Sequence, residues 1–240
     1  MNKKINYGID GINVVRWAAI SSIVTSILYS LNTNINLGFI KIDSKTFLYM
    51  ALAFYTQVIL AIIYAKFGKF RQRERILNSY AWHGNEKVLD VGCGLGLLLI
   101  GAAKKLTSGK AIGIDIWNTS DLSSNSLENA MNNAKIEGVI DKVEIMNQNI
   151  LKTVFSDNSF DVIVSNLCLH NIYSKVGREA ACKEIARIIK PGGTVILSDY
   201  KNNAQIAGFL LDAGLTQKTK TTSFWDVFPP LTTQKFVKTH

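Results

Sequence analysis

The chain opens with two long apolar runs and continues as an alternation of short buried strands and amphipathic helices. Residues 17–31 carry no charge, and Val14 and Val15 extend that run past Arg16, whose long side chain can snorkel. Residues 46–65 are again free of charge and are bracketed by Lys45 and Lys66. The second run has the ~20 residues that cross a bilayer, while the first reaches that length only with its extension. The pattern predicts two helices, about 14–31 and 46–65, separated by the polar, turn-prone Asn32-Thr33-Asn34-Ile35-Asn36. Residues 67–82 then set Phe67, Phe70, Ile76, Leu77 and Tyr80 among basic residues, as in a basic amphipathic helix broken at His83-Gly84-Asn85.

Beyond residue 85 the period changes. Val88, Leu89 and Val91 form a short apolar strand, and residues 97–106 read as a helix. Further strands are predicted at 110–117, 143–146, 162–164, 194–198, 217–222 and 233–237, and helices at 120–138, 173–190 and 202–215. The helix at 173–190 carries a stripe of Val176, Ala180, Ala181, Ile185, Ile188 and Ile189, and Lys190-Pro191-Gly192-Gly193 should stop it. Strands alternating with helices imply an α/β doubly wound sheet.

The junction of the first such strand and helix reads Lys87-Val88-Leu89-Asp90-Val91-Gly92-Cys93-Gly94-Leu95-Gly96. Glycines at this bend allow a tight turn and close approach to a ligand, and the helix behind presents free N–H groups to a negative group. The dinucleotide spacing G-x-G-x-x-G would need glycine at position 97, where the chain has Leu97, so NAD chemistry is disfavoured. An acid two residues before G-x-G-x-G resembles motif I of the class I S-adenosylmethionine (SAM)-dependent methyltransferases.

That resemblance implies a Rossmann-like, seven-stranded, mostly parallel sheet ending in an antiparallel hairpin, with SAM as cofactor. It implies that Gly92, Cys93, Gly94 and Gly96 pass under the methionine part and that Asp90 helps hold the sulfonium end. Asp115 ends the next strand, where a carboxylate can accept both ribose hydroxyls; by resemblance Ile116 and Trp117 pack near the adenosine. Asn149 and Ile150 fall where the family usually has an Asp reading the adenine amino group, and the Asn149 carboxamide oxygen can accept the same bond.

Ser165-Asn166-Leu167-Cys168-Leu169-His170-Asn171 closes the fourth strand and should border the methyl group. It resembles the family's stretch ending in Leu-His-His or Leu-His-Asn. No proline follows Asn166, as base-amino methylation would need, and Cys168 follows Leu167 rather than the proline of the cysteine-nucleophile route. His170 is the first candidate base for an acceptor that must lose a proton, against a structural role contacting backbone or the cofactor carboxylate; Asp199 and Tyr200 stand behind it. The loop Phe224-Trp225-Asp226-Val227-Phe228-Pro229-Pro230 either lines the acceptor pocket or plugs the sheet edge.

Composition sharpens the picture. The 240 residues are 48% hydrophobic with a mean hydropathy of +0.14, high for a purely soluble domain. The formal charge of +9 invites a nucleic-acid reading, yet +7 of it lies in residues 1–75 and only +2 in residues 76–240. Lys3, Lys4 and Arg16 precede the first run and Lys66, Lys69, Arg71, Arg73 and Arg75 follow the second, whereas the connecting loop has Lys41 and Lys45 offset by Asp43. That bias places both ends and the catalytic part in the cytoplasm and the loop outside, consistent with a cytosolic cofactor. A cleavable signal peptide is disfavoured because no small-x-small site follows Leu31. Two helices packed on a soluble partner remain an alternative.

Cys93, Cys168 and Cys182 are odd in number and widely spaced, and neither C-x-x-C nor a His/Cys metal spacing occurs, so no disulfide or metal site is expected. The expected organisation is a membrane hairpin (1–66), a basic linker helix (67–84) and a methyltransferase domain (85–240). The leading expectation is methyl transfer to a small-molecule, lipid or quinone-like acceptor at the inner membrane face. A tethered methyltransferase of proteins or soluble small molecules, and a SAM-binding sensor without turnover, stand as alternatives.

Overall fold

The computed structural model describes residues 4–239; Lys3, counted above in the basic flank, lies outside them. Helix α1 (Ile12–Ser30) and helix α2 (Ser44–Ile63) form an antiparallel hairpin. Their connection folds into a small antiparallel ladder, β1 (Ile35–Asn36) against β2 (Lys41–Ile42), where the sequence suggests only a turn. Asp43 caps α2 by accepting the Thr46 amide at 2.9 Å and hydroxyl at 2.8 Å.

Small residues, Ala18, Ser22 and Thr25 on α1 and Ala51 on α2, are buried. The Ser22 and Thr25 hydroxyls bond back to the Ala19 and Ser21 carbonyls, leaving their polar atoms satisfied inside the hairpin. Outward, Trp17, Ile23, Ile27, Leu52 and Ile59 are exposed. Only 17% and 11% of the two apolar windows are buried, at mean hydropathies of 1.4 and 1.9. Both helices are thus long and apolar enough to cross a membrane, and the rest of the chain does not cover them.

Helix α2 does not stop at residue 65. A single π turn (Tyr64–Gly68) carries it into α3 (Lys69–Asn78), giving one rod from Ser44 to Asn78. The expected amphipathic helix therefore ends at Asn78, and the Trp82 indole folds back to donate to the Leu77 carbonyl at 2.7 Å.

The sheet comprises β3 (Lys87–Val91), β4 (Lys110–Asp115), β5 (Val143–Asn147), β6 (Phe160–Asn166), β7 (Ile189–Asp199), β8 (Leu215–Ser223) and β9 (Leu231–Lys238), in the order β5-β4-β3-β6-β7-β9-β8. The first five pair in parallel, and β9 runs antiparallel to both β7 and β8. Helices α4 (Leu97–Lys105), α5 (Leu127–Ile136), α6 (Lys175–Ile188) and α7 (Asn203–Asp212) complete the layers.

The strand period of two divides the core between the faces. Val88 packs with Ile76 and Leu77 of α3 and Leu99 of α4, while the adjacent Leu89 packs with Ile185 of α6 and Leu210 of α7. Each such side chain contributes roughly 1.5–3 kcal/mol by leaving water. Lys190-Pro191-Gly192-Gly193 belongs to the start of β7 rather than to a separate stop.

The predicted helix over 120–138 is halved. It begins only at Leu127, with Ser126 as its cap, accepting the Asn129 amide at 3.2 Å. The preceding stretch instead serves as a docking rail for the segment that leads into α1. Ile9 donates to Ser123 Oγ at 2.8 Å, Asp10 bridges Leu122, and Gly11 donates to the Asp121 carbonyl at 2.8 Å. Asn133 of α5 fastens the other end, donating to the Asn6 carbonyl at 2.8 Å.

The aromatic loop between β8 and β9 clasps the α2–α3 junction. Val227 and Leu231 bury themselves against Tyr64, Asp226 pairs with Arg75, and Gly68 has no Cβ where the Asp226 carbonyl approaches. Trp225 is left fully exposed.

Candidate active site

A cavity of about 300 Å³ lies beyond the carboxyl ends of β3, β4, β5 and β6, where ligands of open α/β sheets bind. Its floor is the glycine turn. Gly92, Gly94 and Gly96 have φ of 70°, 51° and 85°, the left-handed region that favours glycine. The Gly92 and Cys93 amides both bond to the Ile114 carbonyl, at 2.9 and 3.1 Å, fixing the turn to β4. A Cβ on Gly92 would collide with Cys168, and one on Gly94 would come within 2.8 Å of Leu122 Cδ2.

Asp90 lies beneath the turn, 1% exposed. Burial pushes its carboxyl up to about 8, against the Leu99 amide, which favours the charged form. Its Oδ2 has no partner. Asp115 is in the opposite condition: its Oδ2 accepts the Gly94 amide at 2.8 Å, and its Oδ1 accepts the Trp117 amide at 2.7 Å and the Asn125 carboxamide at 3.3 Å. A carboxylate has about four lone-pair sites, so capacity remains.

Ile116 is exposed at the cavity rim. Trp117, with a φ of 61°, packs against the core on the α4 side instead of lining the cavity, and its buried Nε1 has no partner. Asn149 and Ile150 line the wall beyond β5, and the Asn149 Oδ1 also accepts the Leu151 amide at 3.0 Å. Asn166 closes the wall at the end of β6, its Oδ1 buried and without a partner.

His170 turns from the cavity lining towards β7. Its Nδ1 stands 2.8 Å from Asp199 Oδ1 without making a hydrogen bond, its amide donates to Asp199 Oδ2 at 3.2 Å, and its ring meets Tyr200 edge-on at 4.6 Å. Asp199 is buried and so anchors the turn that carries His170. Cys168 lines the cavity, but burial raises its thiol far above its usual range, which makes it an inert wall.

Five lining residues come from outside the sheet domain: Tyr7 and Asp10 from the segment before α1, and Lys69, Arg73 and Ile76 from α3. Lys69, 3% exposed, donates to the Tyr7 and Gly8 carbonyls at 2.7 and 2.5 Å, pinning that segment over the cavity. Asn125, Gln148 and Leu122 also contribute. Sequence pattern gives no sign of these residues, because their places depend on long-range docking. Among the described residues no group of His, Cys, Asp and Glu could hold a metal ion.

The orphaned Asp90 Oδ2, Asn125 Oδ1 and Asn166 Oδ1, gathered around a glycine turn that leaves no Cβ in the way, fit a cationic, polar ligand such as SAM. Comparison with known proteins agrees. Residues 83–236 match the family described as a methyltransferase domain. A demethylmenaquinone methyltransferase of Lactiplantibacillus plantarum is 33% identical over 113 residues, 47% of this chain and 44% of that one. An uncharacterized protein of Haemophilus influenzae is 28% identical over 142 residues, 56% of this chain and 53% of its own length. The matched stretch thus spans about half the length of these curated relatives. A solved SAM-dependent methyltransferase of Methanosarcina mazei shares the fold with a TM-score of 0.57 at 19% identity, over 68% of this chain and 96% of that one. By its motif, its strand order and this match, the chain belongs to the methyltransferase-domain family, the class I, Rossmann-like, SAM-dependent methyltransferases.

Proposed function

We propose that this chain transfers a methyl group from SAM to a lipid or quinone-like acceptor, and that the α1–α2 hairpin holds it at the cytoplasmic face of a membrane. The observation that carries the reading is the shared wall of the cavity. The glycine turn, Asp90 and Asp115 form one side, and the segment leading directly into the first apolar helix forms another. The L. plantarum relative is named for demethylmenaquinone, which is consistent with a quinone-like acceptor.

SAM, when bound, supplies a methyl group already activated on a sulfonium. In this reading Gly92, Cys93, Gly94 and Gly96 hold its methionine part and Asp90 its cationic end. Asp115 accepts the ribose hydroxyls, Ile116 flanks the adenosine, Asn149 and Ile150 hold the adenine edge, and Asn166 borders the methyl end, whereas Trp117, turned into the core, backs the turn without facing the ligand. What remains for the chain is alignment of the acceptor, which can supply ~7–11 kcal/mol when the reacting atoms are held near attack geometry. His170, the first candidate base by sequence, stands outside the cavity lining, and its amide, held by Asp199, positions the turn after β6.

The two helices, 19 and 20 residues long, reach about 30 Å at 1.5 Å per residue, the thickness of a hydrocarbon core. On α3 the exposed Arg71 follows the second apolar run, where anionic head groups would meet it, while Arg73 lines the cavity and Arg75 pairs with Asp226. Calorimetry of the full chain in detergent micelles should show SAM binding, and membranes containing it should incorporate label from methyl-labelled SAM. Binding without incorporation in any fraction would favour a SAM-binding sensor.

A further inference from the structure

We infer that Asp10, on the segment that docks over the cavity, is the carboxylate that receives the proton of the methyl acceptor, whose reacting atom therefore carries a dissociable proton, as a phenolic or quinol hydroxyl or an ammonium does. The inference rests on the methyltransferase reading and adds a catalytic group from outside the matched domain, which begins at residue 83.

Four carboxylates line the cavity: Asp10, Asp90, Asp115 and Asp121. Asp90 is buried at the glycine turn and faces the cofactor end, Asp115 is engaged by three donors, and Asp121 is held by Asn118 at 2.9 Å at the rim. Among the described residues the Asp10 carboxylate accepts only from its own backbone amide, which leaves it lone pairs to meet an acceptor. Its position is fixed from the backbone by the Leu122 bridge and by Gly11 on the Asp121 carbonyl. It also stands two residues before Ile12, the first residue of α1, so an acceptor head group arriving along the apolar hairpin meets this carboxylate first.

The charged and titratable groups facing it come from every side: Lys69 on α3, His170 after β6, and Tyr64 at the π turn. Desolvation raises the Asp10 carboxyl above its ordinary range and the Lys69 ammonium opposes that, with His170 adding a smaller pull in the same direction as Lys69. The group is thus a stronger base than a solvated aspartate, yet it is not held protonated by a neighbouring carboxylate. The buried Asn166 Oδ1, which lines the cavity, offers the acceptor a further hydrogen-bond acceptor. In the step, the acceptor's X–H bond breaks and its proton goes to Asp10. The pair left on X forms the bond to the methyl carbon, and the carbon–sulfur pair stays on sulfur.

The test compares wild type, Asp10→Asn and Asp10→Glu in native membranes supplied with methyl-labelled SAM, counting label in lipid, aqueous and protein fractions. SAM affinity is measured in parallel by calorimetry. Whichever fraction wild type labels, Asp10→Asn should lose a hundredfold or more in rate while its SAM Kd moves less than threefold. Wild type and Asp10→Glu should both show activity rising with pH through a raised carboxylate range, a limb absent from any residual Asp10→Asn activity. Equal rates for Asp10→Asn, or a SAM Kd weakened in proportion to the rate, would overturn the assignment and make Asp10 a counter-ion of Lys69 or of the cofactor. Label confined to aqueous or protein fractions, but still dependent on Asp10, would overturn the lipid reading alone. No label from wild type in any fraction overturns both.

Discussion

The Asp115 carboxylate accepts the Gly94 amide at 2.8 Å, so the acid that ends β4 is tied to the glycine turn that ends β3. A residue proposed to hold the ribose thereby also sets the shape of the turn proposed to hold the methionine part. Asp115→Ala should weaken SAM binding at least tenfold, from loss of charged hydrogen bonds worth ~1.5–3 kcal/mol each. Asp115→Asn keeps an acceptor oxygen for Gly94 and should fall between the two. Calorimetry reads both, and an unchanged Kd for Asp115→Ala would remove the ribose assignment.

Asp90 gives a pH signature. With its carboxyl raised to about 8 by burial, the ligand-free protein holds it protonated at neutral pH. A cationic ligand overhead favours the ionised form, so SAM binding near pH 7 should release up to one proton and tighten as pH rises towards 8. Calorimetry in buffers of different ionisation enthalpy measures the release, and Asp90→Asn should abolish it. Linkage also fixes the sign for stability. A folded-state value above the unfolded one means a contribution fully present below about pH 4 and lost as pH rises through about 8.

Gly92 and Cys168 test the packing of the turn. Gly92→Ala places a side chain at a φ of 70° and against Cys168. The backbone strain alone costs roughly 1–3 kcal/mol, so thermal melting should show a clear fall in Tm. Cys168→Gly in the same chain removes the collision and not the strain, so the double variant should recover only part of the loss. Full recovery would mean that the left-handed backbone is not required.

For the hairpin, Ile23 and Leu52 are exposed near the middle of α1 and α2. Lysine at both positions costs a membrane helix about 2.5–3.5 kcal/mol at each centre, but an exposed position in water almost nothing. Ile23→Lys with Leu52→Lys should move the chain out of the carbonate-resistant membrane fraction while leaving SAM binding intact. Unchanged fractionation would argue for a protein partner. Deleting residues 1–66 is a poorer test, because it also strips Tyr7 and Asp10 from the cavity wall.

What the sequence discloses and what it conceals divide along contact range. Asp90, the three glycines and Asp115 are legible because a strand, a turn and a helix N-terminus lie within thirty positions of chain, and local chemistry demands those residue types. The two apolar runs are legible for the same reason, since length and absence of charge are local properties. The halved helix at 120–138 is not: Ser123 is held by Ile9, 114 positions away, and that pairing outweighs the helical pattern of its own neighbourhood. Asp10 and Lys69 are hidden likewise, because nothing in their flanks signals that the chain folds back over the cavity. His170 lies in the turn that follows β6, and its side chain stands beside Asp199 rather than in the cavity lining.

The most direct test of the account is the destination of the methyl group. Membranes containing the full chain are given methyl-labelled SAM and extracted with organic solvent, with Asp115→Ala as the blank. Label above blank in the organic phase is the predicted result and would make the hairpin part of acceptor access. Label confined to protein or aqueous material would contradict the lipid-acceptor reading and reduce the hairpin to an anchor.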